Sequence, residues 1–219
     1  MRPHNEPAME RLEKARGLAR ADGPALDVRA LPSFGFSHRS LMWWGTLGLI
    51  AIESTVFALT VFAYFYLRSH SNQWPLAGEP PELRWGTLNS VILLVSLLPN
   101  HWTKRAAERL DLRQVRIGLV VCLLMSLLFL WVRTLEFQSL NTRWDSDAYG
   151  SAVWLLMGLH TLHLATDTFD TAVLAVLMFT GPLEGRRYVD VSENALYWYF
   201  VVFSWLPLYA VIYWAPRVP

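Results

Sequence analysis

The chain has 219 residues, of which 53% are hydrophobic and 14% aromatic, and only 17% carry charge, against about 25% in soluble domains. With a mean hydropathy of +0.26, this excludes a disordered chain and argues against an ordinary soluble globule. The net charge of +1 gives no reason to expect nucleic acid as a partner, and the single cysteine, Cys122, rules out an internal disulfide, a four-cysteine zinc site, an iron–sulfur cluster or a two-cysteine copper centre within the chain.

In chain order, residues 1–41 read as a polar N-terminal tail. They carry no apolar core of a signal peptide, and Glu6, Glu10, Glu13, Asp22 and Asp27 are out of place in an organelle transit peptide. Pro7 can open a short helix to about Arg20 with Met9, Leu12, Ala15 and Ala19 on one face. Such a segment suits either a mobile tail or an arm on a partner or on the membrane surface. Residues 42–216 then alternate long apolar stretches with short charged clusters, the pattern of an integral membrane protein.

Five spans are predicted, at about 42–67, 86–102, 115–135, 151–180 and 194–214, making the chain all-α. The second is short and crosses only if His101 and Trp102 sit at the interface, while the fourth is long, about 45 Å, and must tilt or project. Pro99 and Pro207 should end or kink their helices. Trp43, Trp44, Trp85, Trp102, Trp144 and Trp214 fall at the water boundaries, as an aromatic belt does.

Of the 19 Lys and Arg residues, 14 lie before span 1, between spans 2 and 3, or between spans 4 and 5; the other five are Arg68, Arg84, Arg133, Arg143 and Arg217. By the excess of basic residues on the inner side, the N-terminus is expected in the cytoplasm and the C-terminus outside.

Charge at membrane depth is costly and is where chemistry is sought first. Glu53 sits eleven residues into span 1, about 16 Å deep, with no cation near it in sequence. Three readings stay open: a protonated, hydrogen-bonded carboxyl, a carboxyl facing a partner subunit or a water path, and a proton relay. Span 4 carries His160, His163, Asp167 and Asp170, whose spacings of 3, 4 and 3 put all four on one face. These are metal-ligand types. A bundle metal site, however, draws ligands from several helices, and the one other histidine near a span, His101, reads as interfacial. The plainer reading is an inward polar stripe in which Asp167 bonds His163.

Two histidines at i, i+3 share one side and cannot clasp a haem between them. No Walker loop, G-x-G-x-x-G, G-x-S-x-G or H-E-x-x-H motif occurs, so no catalytic residue is assigned. Arg133 and Glu136 read as an exposed interfacial pair of little energetic weight. Asn89 can bond across helices, and Arg116 can snorkel to the surface.

Several of these residues fall in a familiar order. Trp43-Trp44-Gly45 followed by Glu53 and by Phe57 to Tyr66, then Leu88 to Leu94 with Ser96 and Trp102, then Glu136, resemble successive helices of cytochrome c oxidase subunit III. Gly158-Leu159-His160-Thr161-Leu162-His163 is similar to that family's Gly-aromatic-His-Gly-Leu-His signature, and Tyr197 to Val201 with Trp205 and Tyr213-Trp214 is similar to its last helix. The chain departs from the pattern at Tyr199 and Val202, where the family usually has His and Asp, at Asp167 and Asp170, usually small or apolar, and at Lys104 and Arg105, where the second helix is usually His-rich. The seven-helix form of the family has two further N-terminal helices, and short five-helix forms resemble bacterial oxidases.

The resemblance implies a non-catalytic subunit III of a haem–copper terminal oxidase in a bacterial inner (plasma) membrane, an oxidase that reduces O₂ to water and translocates protons. It implies no cofactor or metal bound by this chain, with haem and copper in partner subunit I, contact also with subunit II, and structural phospholipid in a cleft. Glu53 becomes a proton-related or subunit-interface candidate, and His160, His163, Trp198, Asp167, Asp170 and Asn89 become candidates for the lipid cleft or the bundle interior. Alternatives are an accessory subunit of a quinol oxidase or nitric-oxide reductase, a stand-alone metal enzyme built on the span-4 stripe, and a small transporter built on Glu53.

Overall fold

The computed structural model describes residues 34–76, 79–182 and 184–218. The short helix expected from Pro7 lies outside the described residues. Five long helices follow a 3-10 turn at Ser37–Arg39: α1 (Leu41–Ser69), α2 (Leu83–Glu108), α3 (Leu112–Gln138), α4 (Ala148–Thr180) and α5 (Gly185–Tyr209). No strand occurs among the described residues.

Local chemistry sets several helix starts. The Ser40 hydroxyl accepts from the backbone N–H of Met42, Asp111 from that of Gln114, and Asp147 from that of Gly150, each satisfying a donor that the helix leaves open. The Arg109–Asp111 turn between α2 and α3 has Leu110 at a positive φ of 58°. A connection this short makes α2 and α3 antiparallel neighbours.

Helices α2, α3, α4 and α5 close into a ring in which each packs on the next and α5 returns to α2, while α1 lies mainly against α4 and α5. The main core gathers Tyr64, Phe129, Tyr149, Leu156, Trp205 and Tyr213 with smaller residues, and a second core forms around Val115, Leu119 and Met178. The outside is apolar as well: Ile52, Leu59, Phe62, Leu124, Trp131 and Phe169 are all exposed. An apolar surface around a packed bundle is the arrangement lipid selects, because only structures with internally paired backbones cross a bilayer.

Helices α1, α3, α4 and the α5 segment are long and apolar enough to cross a membrane. Helix α2 is about 39 Å long but less apolar, because its buried face carries Asn89, Ser90, Ser96, Asn100 and Thr103. The expected span of 86–102 is thus extended at both ends. Neither proline ends its helix: α2 continues nine residues past Pro99, and α5 runs past Pro207 into a π turn at Ala210–Trp214. A wider turn is one way a helix absorbs a missing N–H.

Helices α2 and α3 approach closely at Gly118, where an added Cβ would run into the Thr103 hydroxyl and stand 3.0 Å from Thr103 Cβ. Small residues permit such approach in membranes. Gly118→Val is expected to destabilise the bundle by about 1–3 kcal/mol through overpacking. Thermal unfolding in detergent measures this, and an unchanged midpoint would contradict the close packing.

Candidate functional site

Polar side chains gather at three places inside the helices. The first involves Glu53, halfway along α1. Its Oε2 accepts from the Tyr197 hydroxyl of α5 at 2.7 Å, and its Oε1 lies 3.5 Å from His163 Nε2 of α4. His163 Nδ1 stands 2.7 Å from the Leu159 carbonyl. A carbonyl only accepts, so Nδ1 carries a hydrogen and Nε2 is the nitrogen turned to the carboxyl. Phe57 covers the imidazole, with ring centres 4.9 Å apart. The partner missing from the sequence around Glu53 is therefore supplied in space, by a histidine of α4 and a tyrosine of α5.

The second place is deeper. Arg133 and Glu136 are 1% and 0% exposed, and Arg133 Nη1 meets Glu136 Oε2 at 2.9 Å. The expectation of an exposed, weak pair is corrected here, because the face of α3 that bears both turns into the ring. Asn89 Nδ2 donates to Glu136 Oε2 and the Tyr213 hydroxyl to Oε1, both at 2.6 Å. Arg133 Nη2 lies 3.2 Å from His160 Nδ1, and His160 Nε2 lies 3.0 Å from the Val201 carbonyl. Guanidinium only donates, so His160 accepts at Nδ1 and donates from Nε2, which makes it neutral. Arg133 also sits over the rings of Trp205 and Phe129, at 4.1 and 4.8 Å. The network joins α2, α3, α4 and α5, together with Tyr213 of the π turn, and its one positive and one negative group cancel.

The third place joins α4 to α5. Asn194 Nδ2 donates to Asp167 Oδ1 at 3.3 Å and to Asp170 Oδ2 at 3.1 Å, while Thr171 donates to Asn194 Oδ1. Asp167 does not bond His163, since His163 is engaged by Leu159 and Glu53. Trp198 donates to the Ser96 hydroxyl at 2.9 Å. Arg116 bonds the Met178 carbonyl at the end of α4 and lies over Phe179, so it anchors to α4 besides reaching outward. At the positions departing from the family pattern, Tyr199 pairs with His101 at 2.8 Å and Lys104 donates to the Ser192 hydroxyl at 2.8 Å.

The span-4 stripe therefore does not converge on one point. His160 serves the Arg133 network, His163 serves Glu53, and the two aspartates share Asn194. Among the described residues, no three His, Cys, Asp or Glu side chains stand together as a metal-holding group.

Glu53, Asp167, Asp170, Asp190, Glu193 and Tyr197 line an open groove of about 630 Å³ between α1, α4 and α5, with Leu49, Val173 and Leu177 among its apolar wall residues. Sequence reasoning paired Arg133 with Glu136 but missed its burial, and it missed Tyr197 and Asn194 as partners. For Arg133 a signal was present: Ser126, Phe129, Arg133 and Glu136 recur at three- and four-residue steps along one buried stripe of α3.

The chain matches the sequence model of the family described as cytochrome c oxidase subunit III over residues 36–216. It is 25% identical over 201 residues to a cytochrome c oxidase subunit 3 from Thermostichus vulcanus, covering 90% of this chain and 97% of that protein. It is 27% identical over 184 residues to a cytochrome c oxidase subunit 3 from Glycine max, covering 78% of this chain and 67% of that one. A heme-copper oxidase subunit I+III from Aeropyrum pernix is 27% identical over 187 residues, covering 80% of this chain and 22% of that protein. A match running from the turn before α1 to the end of the last helix, on an all-helical membrane bundle, decides the identity: the chain belongs to the cytochrome c oxidase subunit III family and is an accessory subunit of a haem–copper oxidase.

Proposed function

We propose that this subunit braces subunit I of its oxidase and helps sustain proton-coupled turnover through Glu53. The observation that carries the reading is the Glu53–His163–Tyr197 contact. It is a carboxyl at membrane depth, on a helix that otherwise turns Ile52, Val56, Leu59 and Phe62 outward. Ionisable groups inside a membrane mark functional paths by default. Because His163 Nδ1 keeps its hydrogen on Leu159, it is Nε2 that faces Glu53 Oε1, at 3.5 Å, while Tyr197 steadies the other carboxylate oxygen. The Aeropyrum pernix relative, named as subunits I and III in one protein, supports a seat against subunit I. Haem and copper reside in that partner, and subunit II is a further neighbour.

The groove between α1, α4 and α5 holds structural phospholipid, with acyl chains on Leu49, Val173 and Leu177 and a cationic headgroup toward Asp170 and Asp190. Asp167 and Asp170 shape the wall of this cleft, while His163 stands behind Glu53 and His160, Trp198 and Asn89 hold the bundle interior. The excess of basic residues supports an N-terminus in the cytoplasm and a C-terminus outside, and the resemblance to short five-helix forms supports the inner membrane of a bacterium. Cytochrome c is the electron donor, in keeping with the names of the relatives, and those names lend no support to a quinol oxidase or nitric-oxide reductase.

Glu53→Gln tests the reading. It keeps the shape and removes the ionisable carboxyl, so the oxidase assembles but its proton translocation per turnover falls, or it inactivates faster during turnover. Unchanged activity, proton translocation and inactivation rate would contradict the role given to Glu53.

A further inference from the structure

A largely enclosed chamber lies among α2, α3, α4 and α5, with Ser96, Asn100, Thr103, Ser126, Asp167 and Asn194 among its polar lining and about 10 Å³ open to the centre of a water molecule. Asp167 is 3% exposed, and its Oδ2 has no hydrogen-bond partner among the protein groups, although Oδ1 receives the Asn194 amide. A buried polar atom left without a partner is costly and calls for one.

The chemistry of the lining says what that partner brings. The hydroxyls of Ser96, Thr103 and Ser126 give their hydrogens to the carbonyls of Leu93, Pro99 and Leu123, so each can only accept from an occupant. Ser96 already receives the Trp198 indole N–H. Asn100 gives one amide hydrogen to the Ala195 carbonyl and carries a second. The chamber is therefore rich in acceptors, with one amide hydrogen to spare beside the Cys122 thiol, which lies 3.7 Å from the Thr103 hydroxyl. A fitting occupant supplies about two hydrogens, takes about one, and is no larger than a single water, which needs a space of about 10–15 Å³ by this measure. A metal cation fits worse, because Asp167 is the sole carboxylate in the chamber lining given by the described residues.

We propose that this chamber is a buried water-binding site, in which one ordered water donates to Asp167 Oδ2 and to the Ser126 or Thr103 hydroxyl and accepts the second amide hydrogen of Asn100. The water ties α4 to α2 and α3 at a level where the protein makes no direct bond to Oδ2. Asp167 and Asn194 also line the open groove, so they form the wall between the groove and the water. This site is independent of the role proposed for Glu53.

The test is a cryo-electron microscopy map of the assembled oxidase at a resolution that shows ordered waters. The expected result is one isolated peak within hydrogen-bond reach of Asp167 Oδ2 and of at least one of Ser126, Thr103 and Asn100. The peak persists in Asp167→Asn, which keeps a polar atom there, and is lost in Asp167→Leu. Absence of the peak where other buried waters are visible would overturn the proposal, as would its survival in Asp167→Leu. A peak with several contacts at the roughly 2.3–2.6 Å of an oxygen-ligated cation would also overturn it. If Asp167→Leu does not assemble, the wild-type and Asp167→Asn maps decide the matter.

Discussion

Replacing Glu136 with alanine lowers the stability of the bundle by about 3–5 kcal/mol, the cost of leaving one member of a buried ion pair alone. Glu136 accepts from Arg133, Asn89 and Tyr213, so its removal strands three donors at once, one of them a charged guanidinium with almost no exposure. Arg133→Met is expected to cost a similar amount, because it leaves the Glu136 charge uncompensated and takes a donor from His160. The double variant Arg133→Met with Glu136→Leu is expected to be less destabilised than either single one, since it buries no charge. Denaturation of the purified subunit in detergent gives the three values. Single-variant losses below about 1 kcal/mol would show that the pair is solvated and would contradict its burial.

Trp205→Ala is the second large effect, also expected at about 3–5 kcal/mol. Trp205 is fully buried, donates from its indole nitrogen to the Ser90 hydroxyl at 2.8 Å, and lies beside the His160 ring with centres 4.8 Å apart. Its removal opens a cavity, frees the Ser90 contact and takes an aromatic face from Arg133. Lipid cannot enter so enclosed a position. Trp131, on the outer side of α3 and 63% exposed, is the control: Trp131→Ala is expected within about 0.5–1 kcal/mol, because acyl chains replace the ring in both states. The two effects are coupled through Arg133, so Trp205→Ala combined with Glu136→Ala should fall short of their sum. Equal losses at Trp205 and Trp131 would contradict the assignment of inside and outside.

The five helices were legible because a bilayer demands long apolar runs and tolerates no unpaired backbone. Their ends were less so: polar turns such as Lys104 to Glu108 continue α2 beyond its apolar stretch, and apolarity alone says nothing about them. The stripe of His160, His163, Asp167 and Asp170 was correctly placed on one helix, yet one face of a helix can look toward several neighbours. His160 turns to α3, His163 to α1, and the aspartates to α5. Which neighbour receives which side chain is a matter of long-range packing, as the 144-residue separation of Tyr197 from Glu53 illustrates. Arg133 was misjudged for another reason. Near the end of an apolar run, an arginine suits the interface by composition, and only the inward register of Ser126, Phe129 and Glu136 marks it as buried.

Purification of the oxidase by a tag on this chain, under mild detergent, tests its role as a scaffold most directly. The eluate should show haem absorption bands together with a large many-helix partner, and the chain stripped of its partners should show none. A stripped chain that keeps stoichiometric haem or copper and turns over substrate by itself would contradict an accessory subunit.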